Sequence, residues 1–455
     1  MPGSCLGAPR RPASRILPSR TSRLLSAAAL VAWVTAATPP PAAAGNGHFL
    51  HGVGAVNDAL GGAGVAFPND ALGALNLNPA LLARLDGYQF QFSLENVGQD
   101  NAVESRVGPF SGRTEDEGDD ASVPAFGWTR HKQDSRLAYG MGFLGLAGFS
   151  VDYPQDSTNP IFAPQPQGFG RLYSSYQYMK IPFAVAYRVN DRLSLGASLN
   201  LARAVLAGDP AGFAAPDCSP SPGGPVCFFP RLDSDSAMGH GITVGVHFQA
   251  TPQFAVGGSY TSETKFEDFE WNSTVANPNL PTFGTARKIK FELGAPAVAA
   301  VGLAWTPSPK LGLALDAKRI FYSSTPGFGD SGINPATGAI RGPGWEDIDV
   351  FALGLQFAAT PKLTLRGGYN KAENPIPDSQ TFFSLFAPGI FEDHATAGFG
   401  FQATQAMRLD LAYYRAFKNE ASGPLFSLAG PVPGASVQQE IALESIVLTV
   451  SFHLD

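Results

Sequence analysis

The feature that most constrains this chain is a two-residue alternation of apolar with small or polar side chains, which recurs in short segments. In 192–205, Leu193, Leu195 and Leu199 fall on one face, while Ser194 and Ser198 fall on the other. The pattern returns at 241–249, 310–318, 362–370 and 444–455. Because successive side chains of a β-strand point to opposite faces, this period predicts strands along most of the chain.

The same alternation fits a soluble β-sandwich, in which the apolar face would form the core, and two features favour a membrane barrel instead. The second face is small and weakly charged, and charged residues make up only 15% of the chain. Very short connections also alternate with long ones rich in Gly, Pro, Phe and Asn, as in barrels with tight periplasmic turns and long outer loops. A closed barrel satisfies its backbone hydrogen bonds in lipid without leaving an edge.

The alternating segments predict an all-β fold, a fourteen-stranded antiparallel transmembrane β-barrel over residues 87–455. Residues 45–86 alternate too little to join the wall, and a barrel of this width has room for them as a short, partly helical N-terminal plug. We expect long loops at 98–120 and 419–436, among others. The strands lie near 88–97, 121–131, 135–148, 176–189, 192–205, 237–250, 254–268, 285–305, 310–323, 345–359, 362–374, 391–403, 407–418 and 437–454.

Residues 1–44 have the three parts of a secretory signal peptide. Five arginines without an acid precede an apolar core at 24–37, and small residues up to Ala44 supply a cleavage site. The prolines at 39–41 argue against a helix that stays in the inner membrane. The whole chain has 31 basic and 38 acidic residues, so removal of the five arginines leaves a net charge of −12. This charge argues against nucleic acid as a partner.

Two cysteines remain after the signal peptide leaves with Cys5. Cys218 and Cys227 lie in a Pro/Gly-rich segment, where an oxidising compartment favours a disulfide that closes a short loop. A metal site is the alternative, but neither a histidine nor a second cysteine pair lies nearby. We expect the disulfide and no metal.

The segment 69–85, NDALGALNLNPALLARL, predicts one or two helical turns ahead of the strands. Asn78 is a preferred N-cap residue and Pro79 fits the first helical position, so the residues from Ala80 begin a short helix. Since this segment is left over from the wall, we assign Asp70, Asn78, Pro79 and Ala80 to the plug. Capping makes the plug rigid, so a role in capping a short helix is compatible with a role in the plug.

Three stretches, in this order along the chain, resemble the FadL/TodX family of outer-membrane transporters for long-chain fatty acids and aromatic hydrocarbons. The first is GVGAVNDALGGAGVAFPNDALGALNLNPALLARL at 52–85, with its Asp70-Ala71 step and Asn78-Pro79-Ala80. The others are PAVAAVGLAWTPSPKLGLALDAKRIFYSS at 296–324 and LRGGYNKAENPIPD at 365–378. The resemblance implies a barrel closed by an N-terminal hatch, an apolar groove formed by outer loops, a pocket in the lumen and a sideways exit at a kinked third strand.

Four glycines in the third predicted strand have two interpretations. Gly140, Gly142, Gly145 and Gly148 weaken a strand ladder and are typical of bulges and bends. They either let the wall pack closely against the plug or form the kink that the resemblance associates with lateral exit.

Loop aromatics are the first candidates for the apolar groove. A large apolar set on a surface indicates a binding site, whereas mutual packing of the loops is the alternative. The set comprises Phe149, Tyr153, Phe162, Phe169, Phe213, Phe228 and Phe229.

Five charged residues point into the predicted lumen: Asp316, Lys318, Arg366, Arg408 and Asp410. They can pair with each other, because polar interiors are normal in barrels. If the cargo is a carboxylate, Lys318 or Arg366 is the candidate partner. Family members often carry a basic residue between Trp and Asp before the tenth strand, where this chain has Glu346. That departure favours an uncharged cargo.

The sequence carries no catalytic constellation, so we expect a protein that is not an enzyme and needs no cofactor. The predicted function is passive uptake of a hydrophobic molecule, a fatty acid or a hydrocarbon, across the outer membrane of a Gram-negative-type bacterium. The alternatives are a general porin and a structural or adhesive barrel. We expect a monomer that contacts lipopolysaccharide and the outer-membrane insertion machinery and binds no nucleic acid.

Overall fold

The alternating segments form long antiparallel strands, here numbered β1 to β14. The structure, a computed structural model, describes residues 45–132 and 134–454, so the predicted signal peptide at 1–44 lies outside the described residues. The strands are β1 Gly87–Val107, β2 Ala121–His131, β3 Leu137–Tyr153, β4 Leu172–Arg188, β5 Leu193–Asp209, β6 Leu232–Thr251, β7 Phe254–Thr261, β8 Ala297–Ser308, β9 Leu311–Phe321, β10 Ile348–Ala358, β11 Leu363–Ala372, β12 Asp393–Gln402, β13 Met407–Ser427 and β14 Gly430–Leu454.

Each strand pairs with its neighbours in sequence, and the sheet closes on itself. The first strand pairs with the last over nearly its full length, from Tyr88 opposite Leu454 to Val107 opposite Ala435. The described sheet has 16 strands, of which the short strands Phe110–Glu115 and Lys265–Phe266 are attached at the outer ends of β1 and β6. The remaining strands form the predicted fourteen-stranded antiparallel barrel.

The apolar face of the strands points outward, which decides between the barrel and the sandwich. Leu199 is 51% exposed and Ile446 56% exposed, whereas the alternating Ser198 and Thr449 are buried inside. In a membrane barrel the apolar side chains face the lipid and the polar side chains face the lumen, and this chain has that arrangement.

The outer ends of several strands differ from the prediction. Residues 419–436 were expected to be a loop, yet β13 and β14 continue through them and turn only at Leu428 and Ala429. Register shifts at Ala416/Asn419 and Pro424/Phe426 accommodate the prolines and glycines that suggested a loop.

The predicted eighth strand at 285–305 is also divided. Its first part, Ala286–Phe291, pairs with Phe269–Thr274 in a separate hairpin outside the barrel, and the wall strand β8 begins only at Ala297. The residues Gly294 and Pro296 lie between the two parts, where they interrupt a strand.

The plug consists of three short helical segments inside the barrel. The α-helices α1 Ala55–Asp58 and α2 Ala71–Leu77 are followed by the 3₁₀-helix Pro79–Arg84. Further 3₁₀ turns lie at Pro160–Phe162 and Asp378–Gln380 in the outer loops. No helix among the described residues is both long enough and apolar enough to cross a membrane.

Capping residues explain where the plug helices begin. Asp70 Oδ1 accepts a hydrogen bond from the amide of Gly73 at 3.2 Å, and Asn78 Oδ1 accepts one from the amide of Ala80 at 3.1 Å. Pro79 occupies the first position of the third segment, as predicted, and that segment is a 3₁₀-helix.

Glycines on the inner face of the wall make room for the plug. At Gly368 a Cβ atom would overlap the backbone of Leu60 and Gly61, and at Gly196 it would overlap the backbone of Ala80. Comparable contacts between wall glycines and the plug occur on β2, β3 and β5 to β12, at Gly127, Gly140, Gly142, Gly196, Gly245, Gly257, Gly302, Gly312, Gly354, Gly368 and Gly398. The close fit of plug and wall therefore depends on having glycine, which has no Cβ atom, at these positions.

The long loops fold over the outer end of the barrel. Cys218 and Cys227 form a disulfide that joins the short strands Asp217–Ser219 and Val226–Phe228. The Asn277 side chain, buried between the loops, donates to the carbonyl oxygens of Asp217 and Val226 at 3.1 and 2.8 Å. The disulfide hairpin is thereby fixed to the loop that precedes β8.

Candidate functional site

Polar side chains of the wall hold the backbone of the plug. Asp316 Oδ2 accepts hydrogen bonds from the amides of Gly64 and Val65 at 2.7 and 3.0 Å. Lys318 Nζ donates to the carbonyl oxygen of Gly62 at 2.8 Å, and Asn370 Nδ2 donates to that of Gly61 at 3.0 Å. These contacts leave the plug anchored to β9 and β11 through its loop between α1 and α2.

An apolar cavity, the outer cavity, lies beneath the long loops and has a volume of about 60 Å³. Its walls come from strand ends and loops that are far apart in sequence. They include Phe149, Phe213, Phe291, Phe328, Phe383 and Phe386, with Leu206, Leu293 and Ile340. Such a lining suits a hydrophobic ligand, because ligand sites are concave and mostly apolar.

A second cavity, the inner cavity, lies between the plug and the wall and has a volume of about 90 Å³. The plug contributes Phe49, Leu50, Asn76 and Leu77, among others, to its lining. The wall contributes Leu146, Tyr178, Lys180, Val298, Lys318 and Ile320, together with the hydroxyls of Ser259, Thr261 and Thr264. The inner cavity therefore combines apolar surface with two ammonium groups.

The first residues of the plug stand between the two cavities. His48 stacks on Phe328 of the outer cavity, with ring centroids 4.5 Å apart, and the adjacent Phe49 lines the inner cavity. Tyr176 stacks on Phe149 of the outer cavity at 5.3 Å. We call His48, Phe49, Tyr176 and Phe328 the aromatic partition.

A single hydroxyl group fixes this partition. Tyr322 Oη accepts a hydrogen bond from the His48 amide at 3.1 Å, lies 2.9 Å from His48 Nδ1 and donates to the Asn46 carbonyl oxygen at 3.1 Å. Gly47 turns the chain between them with a φ of 63°, and a Cβ atom there would overlap the Tyr322 hydroxyl. Glycine is the residue that adopts this conformation without strain.

The wall has a gap in its hydrogen bonding between β2 and β3. Their pairing ends at Ala125 opposite Leu144, and among the described wall strands β4 is the partner of β3 from Gly145 to Tyr153. Two features explain the interruption: Pro124 has no amide hydrogen, and the β3–β4 register shifts between Gly145 and Ala147.

The plug covers part of the free edge of β3. The Leu50 amide donates to the Leu146 carbonyl oxygen, and the Gly148 amide donates to the His48 carbonyl oxygen, both at 2.9 Å. Because Leu146 also lines the inner cavity, the gap adjoins that cavity.

The four glycines of the third strand divide between the two interpretations given above. Gly140 and Gly142 face Leu75 of the plug, as close packing requires. Gly145 abuts Val123 at the gap, and Gly148 bonds to the plug residue His48.

The predicted groove aromatics also divide into groups. Phe149 and Phe213 line the outer cavity. Tyr153 and Phe162 do not line it, since they stack on each other 5.0 Å apart and are fully buried among the loops. Phe169 and Phe229 pack near them, next to Phe386. Phe228 lies in the disulfide hairpin. Mutual packing of the loops thus accounts for most of the set.

Arg366 takes part in the charge pairing that was predicted for the lumen. Its Nη1 lies 2.8 Å from Asp410 Oδ1, its Nε donates to Gln356 at 2.8 Å, and Arg408 lies 3.0 Å from Asp410. Lys318, the other predicted carboxylate partner, lines the inner cavity.

Sequence reasoning missed His48 and Phe49 of the plug, Tyr322, which follows β9, and Lys180 of β4. One signal was available for Lys180, which is the only charged residue between Leu172 and Tyr187 of β4. A lone charge at the centre of a membrane strand is costly and therefore indicates a lumen function.

Burial shifts the pKa values of three titratable side chains in the plug. It lowers the pKa of His48 and of His51 to about 3, so both imidazoles are neutral at neutral pH. It also raises the pKa of Asp70 to about 7, although the hydrogen bond from Gly73 opposes the shift.

Comparison with known proteins now identifies the chain. The profile of a family described as outer membrane protein transport protein (OMPP1/FadL/TodX) matches residues 34–453. The chain belongs to the OMPP1/FadL/TodX family. This FadL/TodX family member is therefore an outer-membrane β-barrel, and its family and its structural neighbours are transport channels. No curated protein sequence matches it.

Three solved structures share the fold of this FadL/TodX family member. The P. putida toluene transporter TodX is 19% identical, with 89% of this chain and 99% of TodX covered and a TM-score of 0.65. A Pseudomonas aeruginosa FadL homologue is 17% identical, with 90% and 100% covered and a TM-score of 0.70. The Ralstonia pickettii toluene transporter TbuX is 21% identical, with 89% and 99% covered and a TM-score of 0.62.

Proposed function

We propose that this chain is a passive channel that takes up hydrophobic molecules from outside the cell. Cargo enters the outer cavity, passes the aromatic partition into the inner cavity and leaves sideways through the gap between β2 and β3. The observation that carries the proposal is the succession of two cavities, separated by residues of the plug and followed by an interrupted wall. The toluene transporters among the similar structures support a hydrophobic cargo.

The lining of the inner cavity favours a cargo that carries a hydrogen-bond acceptor group. Lys180 and Lys318 present ammonium groups there, and a carboxylate forms the strongest hydrogen bonds with such donors. The apolar outer cavity suits the hydrocarbon part of the same molecule. We therefore propose a medium- or long-chain carboxylate, such as laurate, ahead of a pure hydrocarbon. This reverses the preference drawn from Glu346.

Uptake by whole bacterial cells tests this function, because the lipopolysaccharide leaflet slows the unaided entry of hydrophobic molecules. Cells that express the chain are compared with cells that lack it, using labelled laurate, toluene and sucrose. We expect faster entry of laurate, and sucrose entry equal to the control. Sucrose entry without laurate entry would indicate a porin, and entry of none of the three would indicate a structural or adhesive barrel.

The remaining expectations concern the setting of the barrel. We propose a monomer exported by a signal peptide at 1–44, closed by a plug at 45–86, and inserted through its last strand. Cross-strand ion pairs on the outward face, such as Arg319–Asp349 at 3.0 Å and Lys371–Asp393 at 3.1 Å, support a polar boundary facing lipopolysaccharide. Native mass spectrometry in mild detergent tests both the monomer and the bound glycolipid.

A further inference from the structure

Positive charge is concentrated in one sector at the inner end of the barrel, the end with the short turns. Three cations lie in the turns between β2 and β3 and between β4 and β5, and two lie near the adjoining ends of β2 and β4. We call this set the basic rim, and it comprises Arg130, Lys132, Arg136, Arg188 and Arg192. The same segments contain two carboxylates, Asp134 and Asp191, so the sector has a net positive charge.

The charge of the basic rim is not neutralised by the rest of the described chain. At the outer end of the barrel, arginines and lysines pair with carboxylates across the strands. Among the residues that the structure describes, four members of the basic rim form no ion pair with a carboxylate: Arg130, Lys132, Arg136 and Arg192. The other four short turns together contain two cations, Lys310 and Lys362.

Arg130 is held on the outward face of the wall by two tyrosines. Its guanidinium carbon lies 4.8 Å from the centre of the Tyr88 ring and 5.7 Å from that of the Tyr139 ring. Its Nη1 also donates to Tyr139 Oη at 2.6 Å. Both tyrosines are directly opposite Arg130, so the three side chains form a row across β1, β2 and β3. Tyrosines on the lipid-facing side concentrate at the membrane interface, which places this row at the level of the inner head groups.

Arg188 joins the two basic turns. Its amide donates to the Arg136 carbonyl oxygen at 2.7 Å, and its Nη2 donates to the Ser135 carbonyl oxygen at 3.1 Å. The side chains of Lys132 and Arg136 are exposed in the same turn. The basic rim therefore continues the tyrosine row from the membrane interface towards the periplasm.

A phosphate group with attached acyl chains matches this surface. Guanidinium groups bind phosphate through paired hydrogen bonds, and clusters of Arg and Lys beside a membrane attract anionic lipids. Apolar side chains lie next to the tyrosine row on the outward face: Leu137 is 52% exposed, and Trp128 packs on Tyr139 with ring centroids 5.8 Å apart. Since short turns face the periplasm, the lipid at this level belongs to the inner leaflet, which consists of phospholipids.

We propose that the basic rim binds an anionic phospholipid of the inner leaflet. The phosphate lies between Arg130 and Arg136, and the acyl chains lie along the outward face of β2 and β3 beside Trp128 and Leu137. The inference concerns the membrane partner of the barrel and does not depend on the cargo or its route.

Native mass spectrometry of the purified barrel in mild detergent tests this site. The barrel is titrated with phosphatidylglycerol or with phosphatidylcholine of the same acyl chains, and the bound lipids are counted. We expect phosphatidylglycerol to be retained at several-fold lower concentration than phosphatidylcholine. Equal retention of the two lipids would overturn the proposal. Retention of neither would also overturn it and would favour an acidic periplasmic protein as the occupant of the basic rim.

Variants with matched charge locate the effect. Arg130→Gln/Arg136→Gln removes two cations from the basic rim, and Lys310→Gln/Lys362→Gln removes two from the same end of the barrel outside it. We expect retention of phosphatidylglycerol to fall to that of phosphatidylcholine in the first variant and to equal the wild type in the second. Equal retention by both folded variants would overturn the proposal.

A second variant of the basic rim leaves the tyrosine row intact. Lys132→Gln/Arg192→Gln changes two exposed side chains in the turns, so it tests the surface even where loss of Arg130 disturbs folding. We expect a several-fold weaker retention of phosphatidylglycerol. Heat-dependent mobility in gels reports whether each barrel has folded. Wild-type retention in this variant and in Arg130→Gln/Arg136→Gln would show that the lipid binds elsewhere.

Discussion

Tyr322 illustrates how one side-chain group fixes a functional segment. Its hydroxyl is shared by His48 and Asn46 at the start of the plug, and all three residues are buried. Tyr322→Phe removes this partner and leaves buried polar groups unpaired, a cost of about 1–3 kcal/mol. We expect faster amide hydrogen exchange at residues 46–50 and unchanged exchange in the strands.

The matched control is Tyr369→Phe, whose hydroxyl bonds to Asp393 on the outward face of the barrel. It should leave exchange at residues 46–50 at the wild-type rate. Equal protection of these residues in wild type and Tyr322→Phe would contradict the role of the hydroxyl.

Asp70 makes plug stability depend on pH. Burial raises its folded-state pKa from 3.8 to about 7, so the protonated form is favoured in the docked plug. The contribution to stability is complete below the unfolded-state pKa and is lost as pH rises through about 7. The charged groups that face it, Asp410, Arg366 and Arg408, do not reverse this direction. We expect basal conductance of the wild type to rise between pH 6 and pH 7 and to level off above pH 7.

Asp70→Asn is the informative variant. Its amide oxygen can still accept the hydrogen bond from Gly73 and cap α2, but the side chain has no proton to lose. We expect conductance that does not change from pH 6 to pH 8. The neutral His48 and His51 act in the opposite direction at lower pH, because their pKa values of about 3 mean that stability is lost as pH falls below about 6.5. A pH response in Asp70→Asn equal to that of the wild type would assign the effect to another group.

The roles of some single residues could be predicted from the sequence, and those of others could not. The caps at Asn78 and Pro79 were predictable because capping is local chemistry. Lys318 was a candidate because alternation places it inside the barrel. Charge pairing of Arg366 in the lumen was one of the two interpretations given, but the particular stacking partner of Tyr153 depends on how the loops fold.

The strands and the plug fit together because the wall has glycines at the positions that contact the plug. Gly368→Ala on β11 places a methyl group against the backbone of Leu60 and Gly61, which cannot rotate away. Overpacking of this kind costs about 1–3 kcal/mol. We expect a displaced plug and a higher basal conductance in planar bilayers, with a barrel that still folds.

The neighbouring Gly367 provides the control on the same strand. A Cβ atom there would have one contact, at 3.7 Å from the Thr396 carbonyl oxygen, which is an ordinary distance. Gly367→Ala should therefore conduct like the wild type. Equal conductance for the two variants would mean that the plug tolerates a methyl group at Gly368.

Elements were predicted best where periodicity determines them. The six short turns and the fourteen wall strands follow from alternation, and the structure confirms them. The outer extensions of β13 and β14 were missed because their prolines and glycines are typical of loops, whereas register shifts accommodate them within the sheet. The gap beside β3 was suggested by its glycines, but Pro124 on the other strand was overlooked.

At the scale of the whole molecule, the plug is what distinguishes this barrel from an open pore. Removal of residues 69–85 takes away α2 and the 3₁₀-helix together with their contacts to β2, β5 and β6. We expect a several-fold rise in ion conductance in planar bilayers, because the lumen of a barrel this wide is otherwise large enough for water. Conductance equal to the wild type in a folded variant would show that these residues do not close the lumen.

Both cavities are formed by parts of the chain that are far apart in sequence. The outer cavity combines Phe149 of β3 with Phe328 after β9, and the inner cavity combines the plug with five wall strands. The sequence predicted an apolar site among the loops, but it could not show which aromatics pack on each other and which line a cavity, because that depends on how the long loops are arranged.

Anomalous diffraction from crystals soaked with bromine-labelled laurate tests whether cargo occupies the outer and inner cavities in series. We expect bromine peaks in the outer cavity among Phe149, Phe213 and Phe328, and a second position in the inner cavity, with the carboxylate next to Lys180 or Lys318. Bromine only on the outer wall of the barrel, with both cavities empty, would contradict the proposed route.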